Sequence, residues 1–185
     1  VKEKESAFKG LAQPISESKR GELTEGSLLQ YVGTDLIQKT SLTRKVTYGG
    51  KTVVYPVYKV RLELLYYNDQ NDRIATWITR YESENGQESL CGLNVELYNR
   101  IIENFICESN LDAIQKTRKN IALVGQREPG VTLADGRVVD GNRRLTCLRM
   151  LQRESKEPVY FETVIMDMDI REDKKQIKLL ELAIQ

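Results

Sequence analysis

The sequence predicts an α+β fold, on three observations. β-Branched and aromatic residues flank a Gly49-Gly50 turn, apolar and charged residues alternate from Val57 to Leu64, and the apolar spacing changes to threes and fours after Asn94. A chain of 185 residues with 40% hydrophobic residues has enough apolar side chain for one core with elaborations.

In chain order, residues 1 to about 27 are polar, mixed in charge and interrupted by Gly10, Pro14, Gly21 and Gly26, which reads as an arm. Val46-Thr47-Tyr48 and Lys51 to Tyr55 make a hairpin closed by the two glycines, whose positive φ suits a two-residue turn. After Pro56 a further strand with one wet face is expected over Val57–Leu64, ending in the turn-forming cluster Tyr67 to Arg73. Leu97, Ile101, Ile102, Phe105 and Ile106 share one face of a helix over Asn94–Asp112, and Ile114–Val124 forms a second. Val131–Leu133 and Arg137–Val139 pair across an Asp135-Gly136 turn. A short helix follows from about Arg143 to Gln152, then a strand over Pro158–Met166. A closing helix over Arg171–Gln185 turns Ile177, Leu180 and Ile184 inward. The division expected is an N-terminal arm and hairpin extension over 1–50, then a domain over 51–185. The chain ends inside a helical pattern at Leu182-Ala183-Ile184-Gln185, so continuation into a longer parent chain is expected.

Composition excludes whole classes of chemistry. The chain has no histidine, which removes Ser-His-Asp and Cys-His nucleophile systems and every His-containing metal site. Cys91, Cys107 and Cys147 are odd in number and contain no C-x-x-C pair, so neither a disulfide framework nor a zinc knuckle is indicated, and no metal site is assigned. A reducing cytoplasm is the compartment expected. No stretch approaches the roughly 18 apolar residues of a membrane span, so no membrane partner is expected.

The sharpest local signal is Val138-Val139-Asp140-Gly141-Asn142-Arg143-Arg144-Leu145, a strand running through an Asp-Gly turn into a helix. Helix N-termini expose unpaired N–H groups and partial positive charge, so two arginines there have the wrong sign unless an anion sits among them. The bland alternative is a solvent-facing Arg pair with Asp140 as its ion-pair partner. Residues 116–156 hold ten Lys/Arg against four Asp/Glu in a chain of net +1, which concentrates positive potential around this segment. Gly125 to Thr132 has the spacing of a phosphate-binding Walker loop, but Val131 stands where its lysine must be. Glu154-Ser155-Lys156 falls at a helix end and makes no carboxylate–lysine nuclease centre with Asp140. Cys147 lies near the apolar stripe of its helix and reads as core.

The order of motifs resembles the ParB/sulfiredoxin-like superfamily over roughly residues 57–185, with 75–112 as a helical insertion. The pieces are a strand leading into Leu65-x-x-Asn68-x-x-x-x-Arg73, a Gly125-x-x-x-Pro129 loop containing Arg127, and the Asp140-Gly141-Asn142-Arg143-Arg144 box with its helix and a Pro158-Val159 strand. The box also resembles the Asp-Gly-Gln-Gln-Arg segment of a related branch found in restriction and phage-defence proteins. The resemblance implies a small mixed sheet with packed helices and a nucleoside triphosphate, CTP-like, bound with Mg²⁺. It implies phosphate or nucleotide contacts from Gly141, Asn142, Arg143, Arg144, Thr146, Arg127, Asn68 and Arg73. Asp140 is the candidate catalytic group, orienting the arginines or holding a metal-bound water. Asn142 and Arg143 stand where sulfiredoxins need their Cys and His, which excludes sulfinic acid reduction, and the family's Glu-Asn-x-x-Arg element is not found before Gln185. The function expected is a nucleotide-binding module of a larger DNA-associated protein. The alternatives are an NTPase or nuclease domain of a restriction or defence protein, and a DNA-binding domain without a small ligand.

Overall fold

The structure, a computed structural model, describes residues 27–87, 89–90, 92–167 and 173–184. The expected N-terminal arm up to residue 26, Cys91, the first residues of the closing helix and Gln185 lie outside the described residues.

The Gly49-Gly50 hairpin is longer than the local pattern indicates. β1 spans Ile37–Tyr48 and β2 spans Lys51–Arg61, with both turn glycines at positive φ. Pro56 does not divide β2 into two strands. It faces Thr43 beside a bulge in β1, and pairing of β2 with β6 (Tyr160–Met166) begins only at Val57, so no ladder bond is lost at the missing N–H. β2 ends at Arg61 rather than Leu64 because Leu62–Leu64 turns as a 3-10 segment that buries both leucines. Arg61 and Glu63, read as a wet face, instead form an ion pair at 3.0 Å with both side chains nearly inaccessible.

β3 (Tyr66–Tyr67) follows, then α1 (Ala75–Asn85), α2 (Val95–Ser109) and α3 (Leu111–Val124). Asn94 and Asn110 cap the last two, each side-chain oxygen accepting from an N–H of the first turn. β4 (Gly130–Leu133) and β5 (Arg137–Asp140) pair across the expected turn. α4 (Asn142–Ser155), β6 and α5 (Lys174–Ile184) complete the described elements.

The strands form one mixed six-stranded sheet in the order β1-β2-β6-β4-β5-β3. The β4/β6 and β3/β5 pairs are parallel and the others antiparallel. The α+β expectation is therefore met, and the hairpin placed in a separate extension is continuous with the sheet that carries the rest of the chain. On one face, Val60, Val138, Phe161 and Ile165 pack against Ile102, Ile106, Ile114, Leu145 and Leu148 of α2, α3 and α4. On the other, Val57, Val131, Val139 and Val164 pack against Ile177 and Leu180 of α5, and Val46 of β1 joins them. The outer edge of β3 is satisfied by α2: Asn99 accepts from the Tyr67 N–H at 3.2 Å and donates to the Leu65 carbonyl at 3.1 Å. Among the described residues no helix is long and apolar enough to cross a membrane.

Candidate functional site

The Asp140–Arg144 box forms a strand-to-helix turn. β5 ends at Asp140, Gly141 takes φ +102°, and α4 begins at Asn142. An L-residue with a side chain rarely adopts that conformation, so glycine is required at the pivot. The first turn of α4 has no side-chain cap and no acidic residue. This turn lines a cleft of about 360 Å³ together with Gly141, the 3-10 turn Asp72–Ile74, the C-terminal end of α2 and Thr117 in the middle of α3.

The structure separates the two arginines of the box. Arg144 is committed to the protein: it donates to the carbonyls of Glu128 and Pro129 and lies 3.4 Å from an Asp140 carboxylate oxygen. The same oxygen accepts from Arg44 of β1 at 2.9 Å, and Arg44 also donates to the Pro129 carbonyl. Asp140 therefore ties the hairpin, the 126–130 loop and α4 together. This is the expected ion-pair role, but its partners are Arg144 and Arg44 rather than the Arg143–Arg144 pair.

Arg143 stands instead beside Arg73. Burial, and secondly the neighbouring Arg73 guanidinium, hold Arg143 below the ordinary arginine range. Among the described residues neither side chain has an ion-pair partner, and both line the cleft. Arg73 is placed there by Asn71, whose side chain accepts from the Arg73 N–H at 3.0 Å. Asn142 also lines the cleft, is buried, and leaves its side-chain oxygen without a hydrogen bond.

Of the expected phosphate and nucleotide set, the cleft thus gathers Arg73, Gly141, Asn142, Arg143 and Arg144, with Asp140 beside them. Three residues fall elsewhere. Thr146 is fully buried, its hydroxyl bonded to Tyr67 and to the Asn142 carbonyl, so it serves the helix interior. Asn68 is buried beneath Arg137, accepting from Gln70 at 3.1 Å and from Arg137 at 3.4 Å. Arg127 is exposed on the loop and does not line the cleft. Cys147 is core, as its position on the helix stripe indicates: it bonds the Ile114 carbonyl at 3.5 Å and burial pushes its thiol up to about 11. Sequence reasoning missed Arg44 and Asn71. Asn71 had a local signal, an Asx residue ahead of a turn, whereas Arg44 had none, because its partner lies 96 residues away.

Among the described residues no group of three or more His, Cys, Asp and Glu side chains is arranged to hold a metal ion. The fold and site together define a mixed α/β protein with a cationic cleft at a helix N-terminus. Comparison with family models, with curated proteins and with solved structures finds no match for the chain.

Proposed function

We propose that this chain is a ParB-like domain that binds a nucleoside triphosphate, CTP or another NTP with Mg²⁺, as a module of a larger DNA-associated protein. The observation that carries the reading is the Arg73–Arg143 pair: two neighbouring guanidiniums with no acidic partner among the described residues, in a cleft that the first turn of α4 also lines. Like charges brought together without compensation are unfavourable alone and become favourable around a polyanion, which guanidinium forks and helix N–H groups both recognise.

For Mg²⁺, Glu128 is the cleft carboxylate without an ion pair among the described residues. One carboxylate suits an ion carried mainly by phosphate oxygens, where it would neutralise triphosphate charge. Asp140, bonded to two guanidiniums, is placed to orient them. Titration calorimetry of the chain with CTP, ATP and GTP in Mg²⁺ tests the reading. At least one nucleotide is expected to bind, with tenfold or greater loss on Arg73→Ala and on Arg143→Ala, in line with about 1.5–3 kcal/mol per charged hydrogen bond. Because each substitution also relieves like-charge repulsion, melting temperatures should be unchanged or raised. Equal affinity in the variants, or no binding by the parent chain, overturns the assignment.

A further inference from the structure

The β1–β2 hairpin carries a charge pattern separate from the cleft. Residues 37–61 contain six Lys/Arg and no Asp or Glu. Arg44 and Arg61 are consumed by Asp140 and Glu63, and Lys59 lies across from Glu162 of β6. Lys39, Lys45 and Lys51 are exposed and have no acidic partner among the described residues. β6 pairs with β2 only from Val57 to Arg61, so the distal part, Thr43–Tyr48 with Lys51–Pro56, is a two-stranded ribbon.

The register gives that ribbon two unlike faces. Pairs Arg44↔Tyr55 and Val46↔Val53 put Arg44 and Val46 on the face that packs onto the sheet. Pairs Lys39↔Tyr58, Lys45↔Val54 and Thr47↔Thr52 put Lys39, Thr43, Lys45, Thr47, Thr52 and Val54 on the other, where all six are exposed. Lys51, paired with Tyr48, stands at the tip on the Arg44 and Val46 side.

We propose that this face and the adjoining tip are a docking surface for double-stranded nucleic acid, laid against the phosphate backbone with Lys39 and Lys45 on the face and Lys51 at the tip as the charge contacts and the threonine hydroxyls as hydrogen-bonding neighbours. Unpaired lysines interleaved with hydroxyl side chains are the chemistry that phosphodiesters attract. A two-stranded ribbon is also an element that the roughly 12 Å major groove admits. The ribbon's tyrosines argue against a single strand: Tyr48 and Tyr55 pack against one core cluster, and Tyr58, on the Lys39 face, is partly buried against the other, so no fully exposed ring is offered for base stacking. The surface gives the DNA association of the proposed function a location, and it stands or falls separately from nucleotide binding.

The test is fluorescence anisotropy of the chain with a labelled random-sequence duplex of about 20 base pairs, titrated from about 50 to 200 mM salt. The triple variant Lys39→Gln, Lys45→Gln, Lys51→Gln is expected to bind at least tenfold more weakly at low salt. Its dependence of log affinity on log salt should flatten by up to about 2.7, at about 0.9 for each phosphate that a lysine no longer neutralises. The corresponding triple Lys→Arg variant should retain binding, and so should Arg143→Ala, which separates this surface from the cleft. Parent-like affinity and slope in the glutamine variant overturn the proposal. So does a parent chain that ignores the duplex but binds vesicles containing phosphatidylserine, or duplex binding lost in Arg143→Ala and kept in the glutamine variant.

Discussion

Gly130 has no room for a side chain. A Cβ there would stand 2.3 Å from the Phe161 ring and 2.6 Å from the Asp140 carbonyl oxygen, and Phe161 is fully buried with nowhere to retreat. The same ring underlies Gly141, where a Cβ would meet it at 2.9 Å. One phenylalanine of β6 thus sets how closely the loop before β4 and the turn after β5 approach each other. Gly130→Ala is expected to lower stability by about 2 kcal/mol or more, the scale of overpacking against unyielding neighbours. Urea denaturation checks it, and a parent-like midpoint would show that the ring yields. The sequence shows the Asp-Gly turn and hence Gly141, because turn chemistry is local. The need for glycine at 130 depends on a ring 31 positions further along the chain and has no local trace.

Among the elements, α2 and α4 meet through charge as well as through leucine and isoleucine. Glu103 of α2 is buried and receives both Arg149, at 3.4 Å, and Arg153, at 3.0 Å, from α4, while Arg149 also lies over the Tyr67 ring. Burial, foremost, pushes the Tyr67 phenol above its ordinary range, so the ring stays neutral under the guanidinium. Glu103→Leu would leave the largely buried Arg149 with only Glu96, 4.0 Å away and more exposed. Removing one partner of a buried pair typically costs about 3–5 kcal/mol, and the lower end is expected here because Glu96 remains. Adding Arg149→Met should recover most of the loss, since two apolar groups leave no charge unpaired. Chemical denaturation of the single and double variants decides it, and a double variant no better than the single one refutes the pair. Helical periodicity made α2, α3 and α4 legible within a few residues. It could not place Glu103 or Asn99 inside, because a polar residue on an apolar face makes sense only once its partner from another element is known.

At the scale of the molecule, Arg44 joins the hairpin to the box. It reaches Asp140 and the Pro129 carbonyl from β1, so the cleft's rim depends on a strand that the local pattern assigned to a separate extension. Arg44→Met is expected to speed amide hydrogen exchange in residues 43–48 and 126–130 and to weaken nucleotide binding several-fold. Global stability should fall by no more than about 1 kcal/mol, since this ion pair is partly solvated. Exchange mass spectrometry reads the effect segment by segment, and unchanged protection of 126–130 would dissociate the hairpin from the site.

By itself the sequence determined the α+β class, the hairpin turn, the helical periods, the strand-to-helix turn at Gly141 and the local excess of positive charge. Each of these is written in residues a few positions apart, where backbone preference and side-chain spacing act directly. The tertiary structure alone decided that Arg144 is spent on the loop and on Asp140 while Arg143 faces Arg73, that Thr146 and Asn68 turn inward, and that Arg44 completes the rim. Those outcomes depend on which charged and polar groups meet after distant segments pack. An arginine's role follows from the group that stands beside it, and the neighbour of Arg73 and the partner of Arg44 lie 70 and 96 positions away.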